Sequence, residues 1–433
     1  YFTLDFLGVA LRGSLVDSTR AMYAVVEDLG LAPEGGVIIG TGKRAPYQYA
    51  ALANGTSAHS LELDDVNNEA SLHPAVAVFP AALAASEMEE TNGKKFIEGG
   101  VLGYEVIIRL GKALNPSAHY AQGFHPTATC GTFGAVAAAS KIMGLDAGQM
   151  LNAMGIVGSQ AAGSMEFLAD GAWTKRMHPG WAAHSGIIAA LLAKKGFKGP
   201  GSILEGRDGF LRAYSPSSDA SRILEGLGES YQIIQTSIKP HACCRYKQAP
   251  IDGILRIMEQ NHLKADEVER VTLGILKTGF PIIVKPEELK YNPNSVVDAQ
   301  FSMPFGAAVA MIYGKAGLDE YTQDNVDSQR VKEVMKKIVC VEDPELDKEF
   351  PSRWPASVKI LTKKGKEHLT RIDYPKGDPK NPLSWDELID KFNNLTSPIL
   401  PSERMKEIID RAQLLEKEEN LGSFARLLLG ISA

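Results

Sequence analysis

Three of the nine histidines stand directly before proline, at His73-Pro74, His125-Pro126 and His178-Pro179. Average proline usage predicts about half of one such pair by chance. Imidazole titrates near neutrality, so histidine is the side chain best suited to taking and returning a proton in water. Proline biases the residue before it toward an extended backbone, which predicts these histidines at element ends or in loops, where sites concentrate. Each has ionisable company. Ahead of His73 runs His59-Ser60-Leu61-Glu62-Leu63-Asp64-Asp65, with three carboxylates in four positions. On a helix, Glu62 and Asp65 would share a face, with His59 one turn back. Lys175 and Arg176 stand just before His178, and Lys239, His241 and Arg245 place three cations within seven residues. Such a set offers imidazoles for proton transfer and gathered cations that could hold an anion. Cys243, between Lys239 and Arg245, has two readings, a stabilised thiolate or a small buried side chain beside Cys244; packing is the preferred one.

Other chemistries lack their residues. There is no HExxH and no His/Cys cluster at zinc spacing, so no metal site is expected. Gly35 to Arg44 resembles a phosphate loop, but Val37 stands at the first required glycine and Arg44 where a magnesium-binding Ser or Thr belongs. Neither GxGxxG after a strand nor the GxSxG elbow occurs. With 46 Lys and Arg against 52 Asp and Glu, net −6, the chain has no broad surface for nucleic acid. Four cysteines without a CxxC pair predict a reduced compartment. Tyr1 to Leu7 lacks the basic start of a signal peptide, and no apolar run reaches transmembrane length, so a cytoplasmic protein with no membrane partner is expected.

The elements that must position these residues fall into two textures. Ala75 to Met88, Gly134 to Met143 and Trp181 to Lys195 read as helices rich in Ala and Gly, which favours close helix packing. Past about residue 236 the chain alternates. Val268 to Leu276, Lys337 to Val341, Ser357 to Leu361 and residues 365–373 read as strands, and Pro250 to Gln260 and Val296 to Ala316 as helices. A length of 433 residues predicts more than one domain. The expected fold is mainly α with a smaller α+β domain: residues 1–236 helical and completed by 386–433, and 237–385 mixed.

Taken in order, these segments resemble the MmgE/PrpD family. The resemblance rests on His59-Ser-Leu-Glu-Leu-Asp-Asp65, Leu72-His-Pro-Ala75, Gly123-Phe-His-Pro-Thr127, Asp170-Gly-Ala-Trp-Thr-Lys-Arg-Met-His178 and Lys239-Pro-His-Ala-Cys-Cys-Arg-Tyr246. It implies an all-helical domain with an α+β lid, an active site between them, a homodimer, and no metal or organic cofactor. His73, His125, Lys175, His178 and Lys239 fall on family site positions. The family's Asp-x-Asp-Asp-Thr reads Glu62-Leu63-Asp64-Asp65-Val66 here, and the step to His73 is one residue longer than in cis-aconitate decarboxylase.

Among the family's activities, dehydration of a hydroxy-tricarboxylate such as 2-methylcitrate is the leading expectation. Epimerisation of an iminodisuccinate-type dicarboxylate comes second. A cis-aconitate decarboxylase-like reaction comes third, because of Glu62 and Val66. A catalytically silent protein that binds carboxylates is the alternative of another class. The expected roles are His73 as acid/base, His125 as its partner or proton donor, and Asp64 and Asp65 as groups that orient the histidine or bind a substrate hydroxyl. Lys175, Lys239 and Arg245 would bind carboxylates, with Glu62, His178 and His241 also facing the small polycarboxylate.

Overall fold

The computed structural model describes residues 1–430. The chain divides into two compact units, one of residues 1–60, 64–236 and 384 onward, the other of residues 61–63 and 237–383.

The first unit is helical. Its helices are α1 Phe2–Gly13, α2 Asp17–Leu29, α3 Tyr47–Ala58, α4 Ala75–Met88, α5 Gly93–Ala113, α6 Pro116–Ala121, α7 Pro126–Ile142, α8 Ala147–Gly158 and α9 Thr174–Lys194. Helices Trp385–Thr396 and Ser402–Gln413 also belong to it, and Lys391 reaches Asp5 of α1 at 2.5 Å. At the centre, α3, α4, α5, α7 and α9 pack on one another almost backbone to backbone. A Cβ added at Gly180 would lie 2.2 Å from the Leu52 carbonyl oxygen, and one at Gly55 would lie 2.6 Å from the Gly180 Cα. Small residues thus set the spacing that carries His59, just past α3, and His178, within α9.

Two sequence expectations fail here. His178 does not end an element; it lies in the second turn of α9, which begins at Thr174 and continues through Pro179. Proline there removes one helical N–H, but the close seating of Gly180 on α3 holds the helix together. Nor do residues 59–65 form a helix: α3 ends at Ala58, and Glu62 has φ 54°, so Glu62 and Asp65 share no helical face. The would-be phosphate loop is a hairpin of β1 Gly36–Val37 and β2 Arg44–Ala45. Its Val37 and Ile39 amides donate to the Glu87 carboxylate and the Asn54 side chain. Short strands β3 Val66–Asn67 and β4 Thr236–Ser237 complete the minor elements.

The second unit holds a four-stranded sheet of β5 Val268–Ile275, β6 Ile338–Glu342, β7 Ala356–Thr362 and β8 Glu367–Ile372, in the order β6-β5-β7-β8. β5 runs parallel to β6 and antiparallel to β7, which forms a hairpin with β8. Alternate residues of β7 are buried, as a strand covered on one face requires. That cover is helix Gln248–Gln260, whose Gly253 sits against Val358. The helix expected over Val296 to Ala316 is broken into Val296–Gln300 and Met303–Tyr313. The Ser302 side chain accepts from the Phe305 amide, and Pro304 follows in the first turn, a start signal strong enough to interrupt the run. The chain is thus predominantly helical with a smaller α+β part. No helix among the described residues is long and apolar enough to cross a membrane.

Candidate active site

In the helical unit the segment between α3 and α4 folds back on itself and delivers two histidines to one carboxylate. His73 Nδ1 lies 2.6 Å from the Asp65 carbonyl oxygen and 3.1 Å from Asp64 Oδ2. A carbonyl only accepts, so Nδ1 carries a proton, and in the neutral ring the lone pair sits on Nε2. The His73 amide donates to Thr127 Oγ1 on α7, which fixes the backbone beneath the ring. Asp64 is buried, and its Oδ2 also meets His59 Nδ1 at 2.8 Å.

Asp65 has a different task. Its Oδ2 accepts from the Tyr104 hydroxyl at 2.6 Å and its Oδ1 from the Ala75 amide at the start of α4. Burial pushes its carboxyl well above the usual range. Asp65 therefore ties the segment to two helices and orients His73 through its main-chain oxygen.

His125 caps the N-terminus of α7, where Pro126 begins the helix. Its Nδ1 lies 3.1 Å from Nδ1 of His178, so one ring donates and the other accepts. Burial, then the neighbouring ring and the Lys175 cation, hold His125 well below its ordinary pKa. His178 is pushed down to about 4, mainly by burial, with His59 and Lys175 adding to it. Near neutral pH both rings are uncharged. Lys175, in the first turn of α9, is itself buried. His178 borders a cavity of about 570 Å³ lined also by Gly163, Phe167, Thr174, Met177 and Trp181. That volume is within the range of small-molecule sites.

The second unit holds the remaining candidates. Lys239 is fully buried and donates from Nζ to the Glu62 carbonyl at 3.1 Å, with the Glu62 carboxylate 3.9 Å away. His241 Nε2 bonds Asp252 at 2.8 Å, and Arg245 donates to Asp378 at 2.9 Å and to the Ser237 hydroxyl. Arg245 and His241 thus each carry a carboxylate of their own unit. Cys243 is fully buried, and desolvation raises its thiol, which fits the packing reading.

Two buried groups lie outside the candidates read from the sequence. In the sequence His59 stands only as a neighbour of the acidic run, and nothing in its spacing marks it as sharing Asp64. Lys247 donates to the carbonyls of Ala299 and Gln300 and lies 4.8 Å over the Tyr321 ring. Burial pushes it down to about 8. Its nearness to the Lys239–Arg245 cluster was the available signal. Among the described residues no group of three or more His, Cys, Asp or Glu is arranged to hold a metal ion.

Comparison with known proteins follows the same division. The MmgE/PrpD N-terminal domain profile matches residues 1–223, and the C-terminal domain profile matches residues 241–415. A cis-aconitate decarboxylase-like protein of Aspergillus oryzae is 27% identical, with 99% of this chain and 92% of that protein aligned. The cis-aconitate decarboxylase of Mus musculus is 28% identical over 90% of this chain and 80% of its own length. The 2-methylcitrate dehydratase of Salmonella typhimurium is 22% identical over 63% of this chain and 58% of its own length.

Proposed function

The chain belongs to the MmgE/PrpD family, and on that premise we propose that it is a lyase acting on a small di- or tricarboxylic acid through proton transfer at His73. The observation that carries this reading is the His73–Asp64 pair, with Nδ1 committed to Asp64 and the Asp65 carbonyl. An adjacent carboxylate stabilises an imidazolium, and the two Nδ1 contacts leave Nε2 of His73 as the nitrogen that can take a proton.

In the leading reading the substrate is a hydroxy-tricarboxylate such as 2-methylcitrate. His73 Nε2 takes the proton from the carbon next to a carboxylate, and the electron pair left behind forms the double bond as the C–O bond breaks. The His73 imidazolium gives its proton to the departing hydroxyl, which leaves as water, so the ring returns to its starting state. Lys175 offsets the negative charge that builds on the carboxylate in the transition state. Burial holds His125 well below its ordinary pKa, which favours the partner role over that of proton donor, the two alternatives the sequence offers.

Decarboxylation of cis-aconitate is the second reading. It is favoured by relatives of that name that align over 90–99% of the chain. It needs only one proton delivered to carbon, and His73 would supply it. Against it stand Glu62, held at positive φ, and Val66, which cannot hydrogen-bond, at two positions of the acidic segment.

The test is proton NMR of chelator-treated protein in deuterated buffer with 2-methylcitrate, citrate, cis-aconitate, malate and iminodisuccinate. Dehydration predicts an alkene from 2-methylcitrate and incorporation of deuterium in the reverse direction. Loss of carbon dioxide from cis-aconitate would select the second reading. Silence across the panel from folded protein would sink both lyase readings and leave a carboxylate-binding protein.

A further inference from the structure

His59 is a buried imidazole for which the reaction above has no use. It sits at the C-terminal cap of α3 with none of its surface exposed. Its Nδ1 lies 2.8 Å from Asp64 Oδ2, the same oxygen that lies 3.1 Å from His73 Nδ1. Its Nε2 is buried and has no hydrogen-bond partner. The ring stands edge-on to His73, with centroids 5.1 Å apart, and stacks on His125 at 5.8 Å.

A histidine kept for packing looks different in the same unit. His119 bonds the Tyr214 carbonyl through Nδ1 and the Thr129 hydroxyl through Nε2, so both nitrogens are satisfied. His59 leaves one nitrogen empty, a costly arrangement for a buried polar atom, and spends the other on an oxygen already in use. One carboxylate charge cannot fully support two imidazolium rings 5.1 Å apart, so protonation of either ring disfavours protonation of the other.

We propose that His59 is a positioning residue that shares the Asp64 carboxylate with His73 and thereby sets the pH at which His73 exchanges its proton. The proposal rests on the reading of His73 as the acid/base group. The charged and titratable groups around the trio are Asp64 and Asp65 from its own segment, Asp5 from α1 and Tyr104 from α5. His125 from α7 and Lys175 and His178 from α9 also lie around it. Asp64 bonds both rings.

The experiment is long-range proton–nitrogen NMR of the imidazole nitrogens across pH, on wild-type protein and on His59→Leu and His59→Asn. In the wild type the His59 and His73 signals move in the same two steps, because the rings titrate as a coupled pair. His59→Leu leaves Asp64 to His73 alone, so the His73 midpoint rises by about one pH unit and the curve becomes single-step. His59→Asn keeps an N–H donor for Asp64 and brings the midpoint back toward the wild-type value. A single-step His73 curve in the wild type, unchanged in both variants, would overturn the proposal. If His59→Leu does not fold, the change from two steps to one in His59→Asn decides the matter alone. No substrate is needed, so silence in the panel of acids would sink the lyase reading without touching this result. With a turned-over substrate in hand, the acid limb of the pH–rate profile shifts with the NMR midpoint; a merely structural His59 would lower the rate equally at every pH.

Discussion

His73 and His125 are both imidazoles before proline, yet their surroundings give them opposite tendencies. His73 faces a carboxylate at 3.1 Å, whereas His125 faces another imidazole at 3.1 Å and the Lys175 cation. The first arrangement favours a bound proton and the second repels one. His73→Gln keeps an amide near the Nε2 position but has no basicity. It is expected to lower turnover by about 10²- to 10⁴-fold while circular dichroism stays unchanged. His125→Gln keeps a neutral hydrogen-bonding group, so its effect should fall on KM more than on kcat. Equal loss of kcat in the two variants would show that His125 moves a proton after all. Neither difference could be read from spacing, since His-Pro looks the same at both positions; it comes from what burial and folding place beside each ring.

At the scale of elements, the crossing of α3 and α9 decides where His59 and His178 lie. Gly180 makes that crossing, and a methyl group there would meet the Leu52 carbonyl oxygen at 2.2 Å and Thr56 Oγ1 at 2.6 Å. Backbone oxygen cannot step aside cheaply, so Gly180→Ala is expected to destabilise the helical unit by about 1–3 kcal/mol or more. Urea unfolding measures this. The control is Gly148→Ala in α8, where the nearest atom is a side-chain oxygen at 3.4 Å. That variant should be as stable as the parent or slightly more so, because alanine is the better helix former. The sequence made the Ala- and Gly-rich helices legible, along with the alternating strands of the sheet. It misplaced the start of α9 and missed the break at Ser302. Proline and serine act as local stop and start signals whose outcome depends on whether packing overrules them.

Across the whole molecule, stability is tied to pH through carboxylates the helical unit has buried. Glu87 accepts from the Val37 amide and lies 3.5 Å from Arg44, but loss of water dominates and pushes its carboxyl up from 4.5 to about 7. Between those pH values the native protein keeps a proton that the unfolded chain has released. The contribution of Glu87 is therefore fully present below pH 4.5 and is lost as pH rises through about 7. The full loss corresponds to about 3 kcal/mol. Glu87→Gln, which still accepts from Val37, should flatten this part of the stability profile measured by urea unfolding at pH 5 and pH 8. An unchanged slope would mean that Arg44 keeps Glu87 ionised in the native state.

The sequence by itself determined the helical and mixed textures, the family, and the residue types available for proton transfer and carboxylate binding. These follow from local periodicity and from short motifs in a fixed order, which survive without knowledge of the fold. Only the tertiary structure decided that Asp64 serves two histidines, that Asp65 acts through its carbonyl while its side chain ties down Tyr104, and that His125 and His178 are neutral partners. The last two depend on groups 39 to 53 residues apart in the chain and on the exclusion of water around them, and the first on how the segment between α3 and α4 folds back on Asp64. Spacing along a sequence carries neither.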